Sequence, residues 1–182
     1  RSLVVRGYSL VIFPEGTRTV DGSIGRFHKG AFYLAAELGL DITPVYIHGA
    51  YDVLPKTDFM LREGSVNVEV GPRIPCSKDY RSMTKVFHRI FVSHYAELRR
   101  TLETPEYLSV YVRYKYLYKG ADVESRCRKA LARVNDMAFL REVPSGNHFE
   151  IHDCGQGEYA LIFALMHPEV EVDAYDRDED NV

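Results

Sequence analysis

The chain has 182 residues, of which 46% are apolar and 27% charged, and its net charge is −3. That apolar share supports a buried core and argues against wholesale disorder, and no apolar run nears the ~18 residues of a membrane-crossing helix. The three cysteines, Cys76, Cys127 and Cys154, form no Cys-x-x-Cys pair, which argues against a disulfide framework or zinc ribbon and for a reducing compartment.

The charge is unevenly spread. Residues 1–100 hold 14 Lys/Arg against 10 Asp/Glu, a net +4; residues 101–141 hold 8 against 5, +3; residues 142–182 hold 1 against 11, −10. A basic front and an acidic end suggest two units with different ligands, the front suited to an anionic substrate or membrane surface. The opening at Arg1 does not read as a signal peptide, and the chain is expected to be an interior piece of a longer one.

In chain order, Leu3–Val5 and Ser9–Phe13 read as short buried strands, followed by glycine turns. From Gly30 to Leu40 the residues Ala31, Leu34, Ala35 and Leu38 recur at helical spacing, and Gly39 suits the stop. Asp41–Ile47 is a β-branched run that predicts a buried strand, and Ser65–Val70 alternates as a half-buried one. Arg81–Glu103 predicts a long helix with Val86, Ile90 and Phe91 on one side. After Thr104-Pro105, Tyr107, Tyr111, Tyr114 and Tyr118 would line one helix face up to Lys119-Gly120. Asp122 is expected to cap the next helix, running to about Val134, and Pro144–Asn147 to form a turn. Phe149–Asp153, Glu158–Met166 and Glu171–Tyr175 then read as strand, helix and strand. The whole is α/β.

Two segments carry chemistry. The first is Phe13-Pro14-Glu15-Gly16-Thr17-Arg18, directly after an expected strand. Arg18 offers a planar fork for a phosphate, Gly16 allows close backbone approach, Thr17 adds a hydroxyl, and Glu15 could orient the guanidinium. Lys29 would sit at the next helix N-terminus, where anions are already favoured. From the residues alone, a solvated surface is the alternative.

Val11–Arg18, then Gly25-Arg-Phe-His-Lys-Gly-Ala-Phe32, then Ile42–Ile47 with Asp52-Val-Leu-Pro-Lys56, resemble the glycerolipid (1-acylglycerol-3-phosphate) acyltransferase family over roughly residues 1–75. The resemblance implies that Glu15, Gly16, Thr17 and Arg18, with Lys29, bind the acceptor's phosphate. It implies phospholipid-biosynthesis chemistry: an acyl group passes from a thioester, acyl-CoA or acyl carrier protein, to a lysophospholipid-type acceptor, with no cofactor. It also implies a cytoplasmic site at the inner face of a membrane. The family's Asn-His-x-x-x-x-Asp catalytic motif lies upstream of the Glu-Gly-Thr-Arg block, and no His precedes Glu15 here. No catalytic residue is therefore assigned, and the piece alone is expected to be inactive. The downstream Asn147-His148-x-x-x-x-Asp153 matches that pattern but stands in the wrong order.

The second segment is Asp153-Cys-Gly155-Gln-Gly157, between an expected strand and helix, with Asp176 ending the next strand. This is a nucleotide-binding βαβ pattern, glycines admitting a ligand and a carboxylate meeting ribose hydroxyls. It resembles the first motif of class I S-adenosylmethionine-dependent methyltransferases and assigns Asp153, Gly155, Gly157 and Asp176 to that cofactor. Glu158 stands where a third glycine would be, which disfavours a pyrophosphate.

The expected organisation is a partial acyltransferase α/β domain over 1–100, a helical connector over 101–145, and the opening βαβ of a Rossmann-like, methyltransferase-like domain over 146–182. The alternatives are a non-catalytic phosphate- or lipid-binding remnant and a methyltransferase fragment with an unrelated front. No metal site is expected from residue spacing, and nothing points to nucleic acid.

Overall fold

The computed structural model describes residues 2–56, 58–142 and 145–177. Pro144 of the expected turn, and residues 178–182 of the third expected segment, lie outside the described residues. The fold is mixed α/β, and the chain divides into two compact units, residues 1–99 and 100–182.

The first unit opens with α1 (Ser2–Val5), a helical turn where a strand was expected. Ser9–Phe13 likewise forms no strand. A strand exists only where a neighbour takes up its amides and carbonyls, and no described strand pairs with either segment. Near residues 2–7 the chain satisfies itself locally instead, Gly7 N–H donating to the Val4 carbonyl at 2.9 Å.

The helix predicted from Gly30 is α2 (Lys29–Leu38). It stops where Gly39 turns left-handed at φ 63°, and the amides of Gly39 and Leu40 close on the carbonyls of Ala36 and Ala35 at 3.3 and 3.0 Å. The β-branched run beyond yields β1 (Val45–His48), four residues rather than seven. Pro44 has no N–H for the ladder, so Ile42 is left with a single isolated bridge to Ile74. After α3 (Ala50–Val53), β2 (Asn67–Val70) pairs antiparallel with β1, Val45 opposite Val70 and Ile47 opposite Val68. The pleat turns Tyr46 and His48 inward. It leaves Val45, Ile47, Val68 and Val70 exposed, so neither strand is buried on the side where its valines lie.

α4 (Tyr80–Leu102) fills the predicted long helix, and its inner face keeps Phe91 but turns from Val86 to Met83 and Phe87. Met83 and Phe87 are buried and Val86 is exposed. Phe87 and Met83 pack with Phe27 and Phe32, the Phe27 ring lying edge-on to Phe91 at 5.2 Å.

In the second unit, α5 (Pro105–Arg113) begins as predicted, the Thr104 hydroxyl accepting from the Tyr107 amide and Pro105 opening the first turn. It ends sooner than the tyrosine stripe implies. The amides of Lys115 and Tyr116 reach only three residues back, to Val112 and Arg113, and Tyr118 is left-handed at φ 70° and exposed. α6 (Ala121–Leu131) is preceded by Gly120, so Asp122 lies in its first turn and is not its cap. It stops short of Val134, which starts a 3-10 turn. β3 (His148–His152), α7 (Glu158–Met166) and β4 (Glu171–Tyr175) follow. β3 and β4 are parallel neighbours, His148 opposite Glu171 and His152 opposite Tyr175. Leu108, Val112, Cys127, Leu131, Leu140, Ile162 and Phe163 form one core. The helices over 105–131 thus share their core with the β3–α7–β4 segment.

Phe163 is wholly buried, 4.5 Å from the Phe149 ring and 4.6 Å from that of His167. Phe163→Ala should therefore cost about 3–5 kcal/mol of unfolding free energy in urea titrations. A loss under about 1 kcal/mol would contradict this packing.

Candidate functional site

The front loop is built around an inward carboxylate. Glu15 Oε2 accepts the Gly25 amide at 2.7 Å, and the Pro14 carbonyl accepts the His28 amide at 2.7 Å. A Cβ on Gly25 would stand 2.8 Å from Glu15 Oε2, so a larger residue there would push the carboxylate from its place on the amide. Gly16 makes the turn at φ 71°, its amide bonded to the Phe13 carbonyl at 3.1 Å, with the His28 ring beside it. Two stitches thus fasten residues 13–18 to residues 25–28, immediately before α2.

Glu15 is committed to Gly25, and no ion pair between it and Arg18 is found among the described residues. The expected role of Glu15 in orienting the guanidinium is replaced by one in holding the loop. Arg18 is exposed, with Nη1 3.5 Å from the Leu54 carbonyl, a long and weak contact. Lys29 is the first residue of α2 and is also exposed. A third cation joins them. Lys56 Nζ donates to Thr17 Oγ1 at 3.0 Å across 39 residues of sequence. Lys56 was visible as the end of the Asp52–Lys56 block, but nothing local in the sequence placed it on this loop. His88 was missed as well: it is half-buried on α4, with Nε2 donating to the Gly25 carbonyl at 3.0 Å. His48, by contrast, is buried against Tyr95 in a packing position.

The loop between α2 and the front turn is further ordered by Asp21. Its Oδ1 accepts from the Ser23 amide and hydroxyl and from the Thr19 hydroxyl, which together hold its carboxyl down at about 2.

The rear loop inverts this plan. β3 ends at His152, and Asp153 follows it, left-handed at φ 54°, then Gly155 and Gly157 at φ 61° and 76°. Asp176, at the end of β4, accepts the Gly155 amide on Oδ2 at 2.7 Å, and the Cys154 amide donates to the Tyr175 carbonyl. Gly155, Gly157 and Asp176 therefore meet at one place. Asp153 turns to the surface and pairs with Arg177 at 3.2 Å.

Beneath the glycines lies Glu158, 5% exposed, with its Oε1 4.0 Å from where a Gly155 Cβ would be. Burial raises its carboxyl above the usual range; the amides of Glu158 and Gln156 oppose this without cancelling it. Its Oε2 is buried with no hydrogen-bond partner among the described residues. Glu158 thus occupies with its own carboxylate the amides a phosphate would seek at a helix N-terminus. Tyr116 closes the other side, its hydroxyl donating to the Gln156 carbonyl at 2.6 Å. Helical spacing picked out Tyr107, Tyr111, Tyr114 and Tyr118 and passed over Tyr116, which the chain reverses into place only after α5 has ended. The nearby thiols are poor nucleophiles. Burial, then the Glu158 charge, pushes Cys127 up to about 12, and burial and Asp176 raise Cys154.

His148 and Asp153 do not form a dyad. His148 Nε2 lies 3.4 Å from Glu150 and 3.6 Å from Asp173, while Asp153 holds Arg177. Five residues along a strand, the two positions begin on opposite faces.

A family model described as Acyltransferase matches residues 1–48. A chloroplastic 1-acyl-sn-glycerol-3-phosphate acyltransferase of Brassica napus is 40% identical over 77 residues, 42% of this chain and 22% of that protein. The same-named protein of Pseudomonas aeruginosa is 37% identical over 67 residues, 37% of this chain and 26% of its own length. The alpha form of Homo sapiens is 32% identical over 75 residues, covering 41% and 26%. The chain spans about a quarter of the length of these curated relatives. No solved structure matches it significantly.

Removing the Glu15 acceptor strands the Gly25 amide, so Glu15→Ala should cost about 1–3 kcal/mol and speed hydrogen exchange at Gly25, with Glu15→Gln close to wild type. Equal exchange in all three proteins would refute the stitch. The Glu158 carboxyl gives a second outcome. Its folded pKa lies above its unfolded one, so the folded state binds more protons and stability falls as pH rises from the unfolded value through the folded one. Glu158→Gln should flatten that fall, whose slope for one proton is at most about 1.4 kcal/mol per pH unit. Urea midpoints from pH 4 upward provide the measurement, and an unchanged slope would place the pH dependence elsewhere.

Proposed function

We propose that the front unit is the acceptor-binding part of an acyltransferase of phospholipid biosynthesis. The carrying observation is the Thr17–Lys56 bond, which adds a cation to the exposed loop already bearing Arg18. Its relatives are named for acting on 1-acylglycerol 3-phosphate, and the matched segment contains this loop. Arg18 would grip the acceptor's phosphate as a fork, Lys56 and Lys29 would add charge, and Thr17 would supply a hydroxyl. The reaction moves an acyl group from a thioester, acyl-CoA or acyl carrier protein. The acceptor's hydroxyl oxygen attacks the thioester carbonyl, the new ester forms, and the thiol leaves with the proton. Fixing the phosphate fixes where that hydroxyl stands, which is the front loop's contribution to rate. The acceptor is a lipid, so the work is done at a membrane surface, on the cytoplasmic side. No resident cofactor is needed, because the thioester is a substrate.

The rear loop supports a second reading, favoured by the convergence of Gly155, Gly157 and Asp176. We propose that it opens a Rossmann-like, methyltransferase-like domain. Its donor set fits S-adenosylmethionine: backbone room at two left-handed glycines, carboxylates near a sulfonium and ribose hydroxyls, and a helix N-terminus already filled by Glu158. Bound there, the cofactor would supply an electrophilic methyl group. Asp176 would hold the glycine turn and offer a carboxylate to the ribose.

In the full-length enzyme, Arg18→Ala should raise the acceptor KM and lower kcat/KM by roughly 10–150-fold, the equivalent of about 1.5–3 kcal/mol. Unchanged kinetics would remove Arg18 from the acceptor site. For the rear loop, calorimetry should show S-adenosylhomocysteine binding, weakened in Asp176→Ala, with NAD not binding. Tight NAD binding or indifference to Asp176 would defeat that reading.

A further inference from the structure

We infer that Phe59, Met60 and Leu61 form an apolar wedge that enters an anionic lipid bilayer. The three consecutive side chains are 101%, 65% and 75% exposed, on the loop between α3 and β2. Three large apolar residues in a row, all in water, are not what a soluble surface accumulates singly and at random.

The wedge is held out by its base. The Asp58 amide donates to the Pro55 carbonyl at 3.2 Å, and the Met60 amide to Asp58 Oδ1 at 3.0 Å. The Arg62 amide reaches back to the Val53 carbonyl at 2.9 Å, and its guanidinium holds Asp58 Oδ2 at 2.9 Å. The Met60 amide and Arg62 together keep the Asp58 carboxyl below its ordinary range, so the brace is charged at neutral pH. The amides of Asp58, Met60 and Arg62 and the Asp58 carboxylate are paired within the loop and its base, and the apolar side chains are left outside.

Shape and charge choose the occupant. A specific protein interface takes about 20–30 residues from each side, whereas a three-residue convex tip can enter a fluid bilayer without a shaped counterpart. Residues 54–63 are neutral in sum, Lys56 and Arg62 against Asp58 and Glu63. The sign comes from Arg18, whose guanidinium lies against Leu54 at the root of this loop, and from the +4 balance of residues 1–100. Such a surface favours anionic headgroups around an inserted tip. The inference rests on the lipid-acceptor reading for the presence of a membrane, and it names the residues that touch it.

The chain has no tryptophan, so Phe59→Trp places a single reporter at the tip. With vesicles of equal parts phosphatidylglycerol and phosphatidylcholine, its emission should move to the blue. Brominated acyl chains should quench it by about twofold or more. The combined Phe59→Ser, Met60→Ser, Leu61→Ser variant should keep its thermal midpoint and bind these vesicles about tenfold or more weakly. An unshifted, unquenched reporter overturns the wedge, as does a triple variant that sediments with vesicles like wild type. Equal binding to pure phosphatidylcholine overturns the anionic preference. The two readings separate through Arg18→Ala: an unchanged acceptor KM in the full-length enzyme with an intact tryptophan shift would sink the acceptor site and leave the wedge standing.

Discussion

The Glu15 carboxylate on the Gly25 amide is the bond that the front unit's exposed chemistry depends on. It turns the one acid of the Glu-Gly-Thr-Arg block inward, against a neutral amide. Arg18 is thereby left without a local counterion on the same turn. Had Glu15 paired with Arg18, an incoming anion would have had to displace it, at the cost of a charge-assisted bond. The same stitch sets Gly25, whose carbonyl takes His88, and Phe27, whose ring enters the core with Phe32 and Phe87. A surface loop is thus tied to a helix and a core by contacts none of which uses a cation.

The rear loop solves the opposite problem. Its glycine turn precedes a helix N-terminus, which by itself would favour an anion. Glu158 supplies that anion from within, and Asp176 supplies a second carboxylate to Gly155. Burial disfavours the charged form of Glu158, and its carboxyl is raised accordingly. That carboxyl lies at the helix N-terminus, where a phosphate would otherwise be favoured. The two loops look alike in sequence, each glycine-rich with acids close by, yet in the front loop the acid is spent on an amide beside exposed cations, and in the rear loop the acids gather at the glycines.

Much of the fold was legible where the determinants are local. The α2 stop at Gly39, the Thr104-Pro105 start of α5, and the bounds of α7 and β4 all follow from caps and short-range periodicity. Apart from the early ends of α5 and α6 and the cap of α6, what failed depends on a distant neighbour. Leu3–Val5 and Ser9–Phe13 have strand composition, but composition cannot provide the ladder partner. The α4 face was misplaced at Val86 because Met83 and Phe87 answer to Phe27 and Phe32, which lie some fifty residues earlier. The site divides in the same way. Arg18 and the Gly16 turn are placed by the block itself, but the partner of Glu15 lies ten residues on at Gly25, and Lys56, His88 and Tyr116 arrive over separations of 39, 63 and 40 residues.

The misread valines and the braced tip share one physical cause. Hydrophobic pattern tells which side chains would gain by leaving water, and says nothing of where they go. Val45, Ile47, Val68 and Val70 have the right alternation for a covered sheet face and are open. Phe59, Met60 and Leu61 have no alternation at all, since a loop with its hydrogen bonds closed at the base has no sheet or helix period to obey. The sheet face is flat and regular, the geometry that packs against another layer of secondary structure. The tip is convex and irregular, the geometry that no such layer fits. Exposure alone therefore does not distinguish an unfilled interior face from a surface built for an apolar phase. The polar brace does: Asp58 and Arg62 commit hydrogen bonds and a charge pair to keeping three apolar side chains pointed outward.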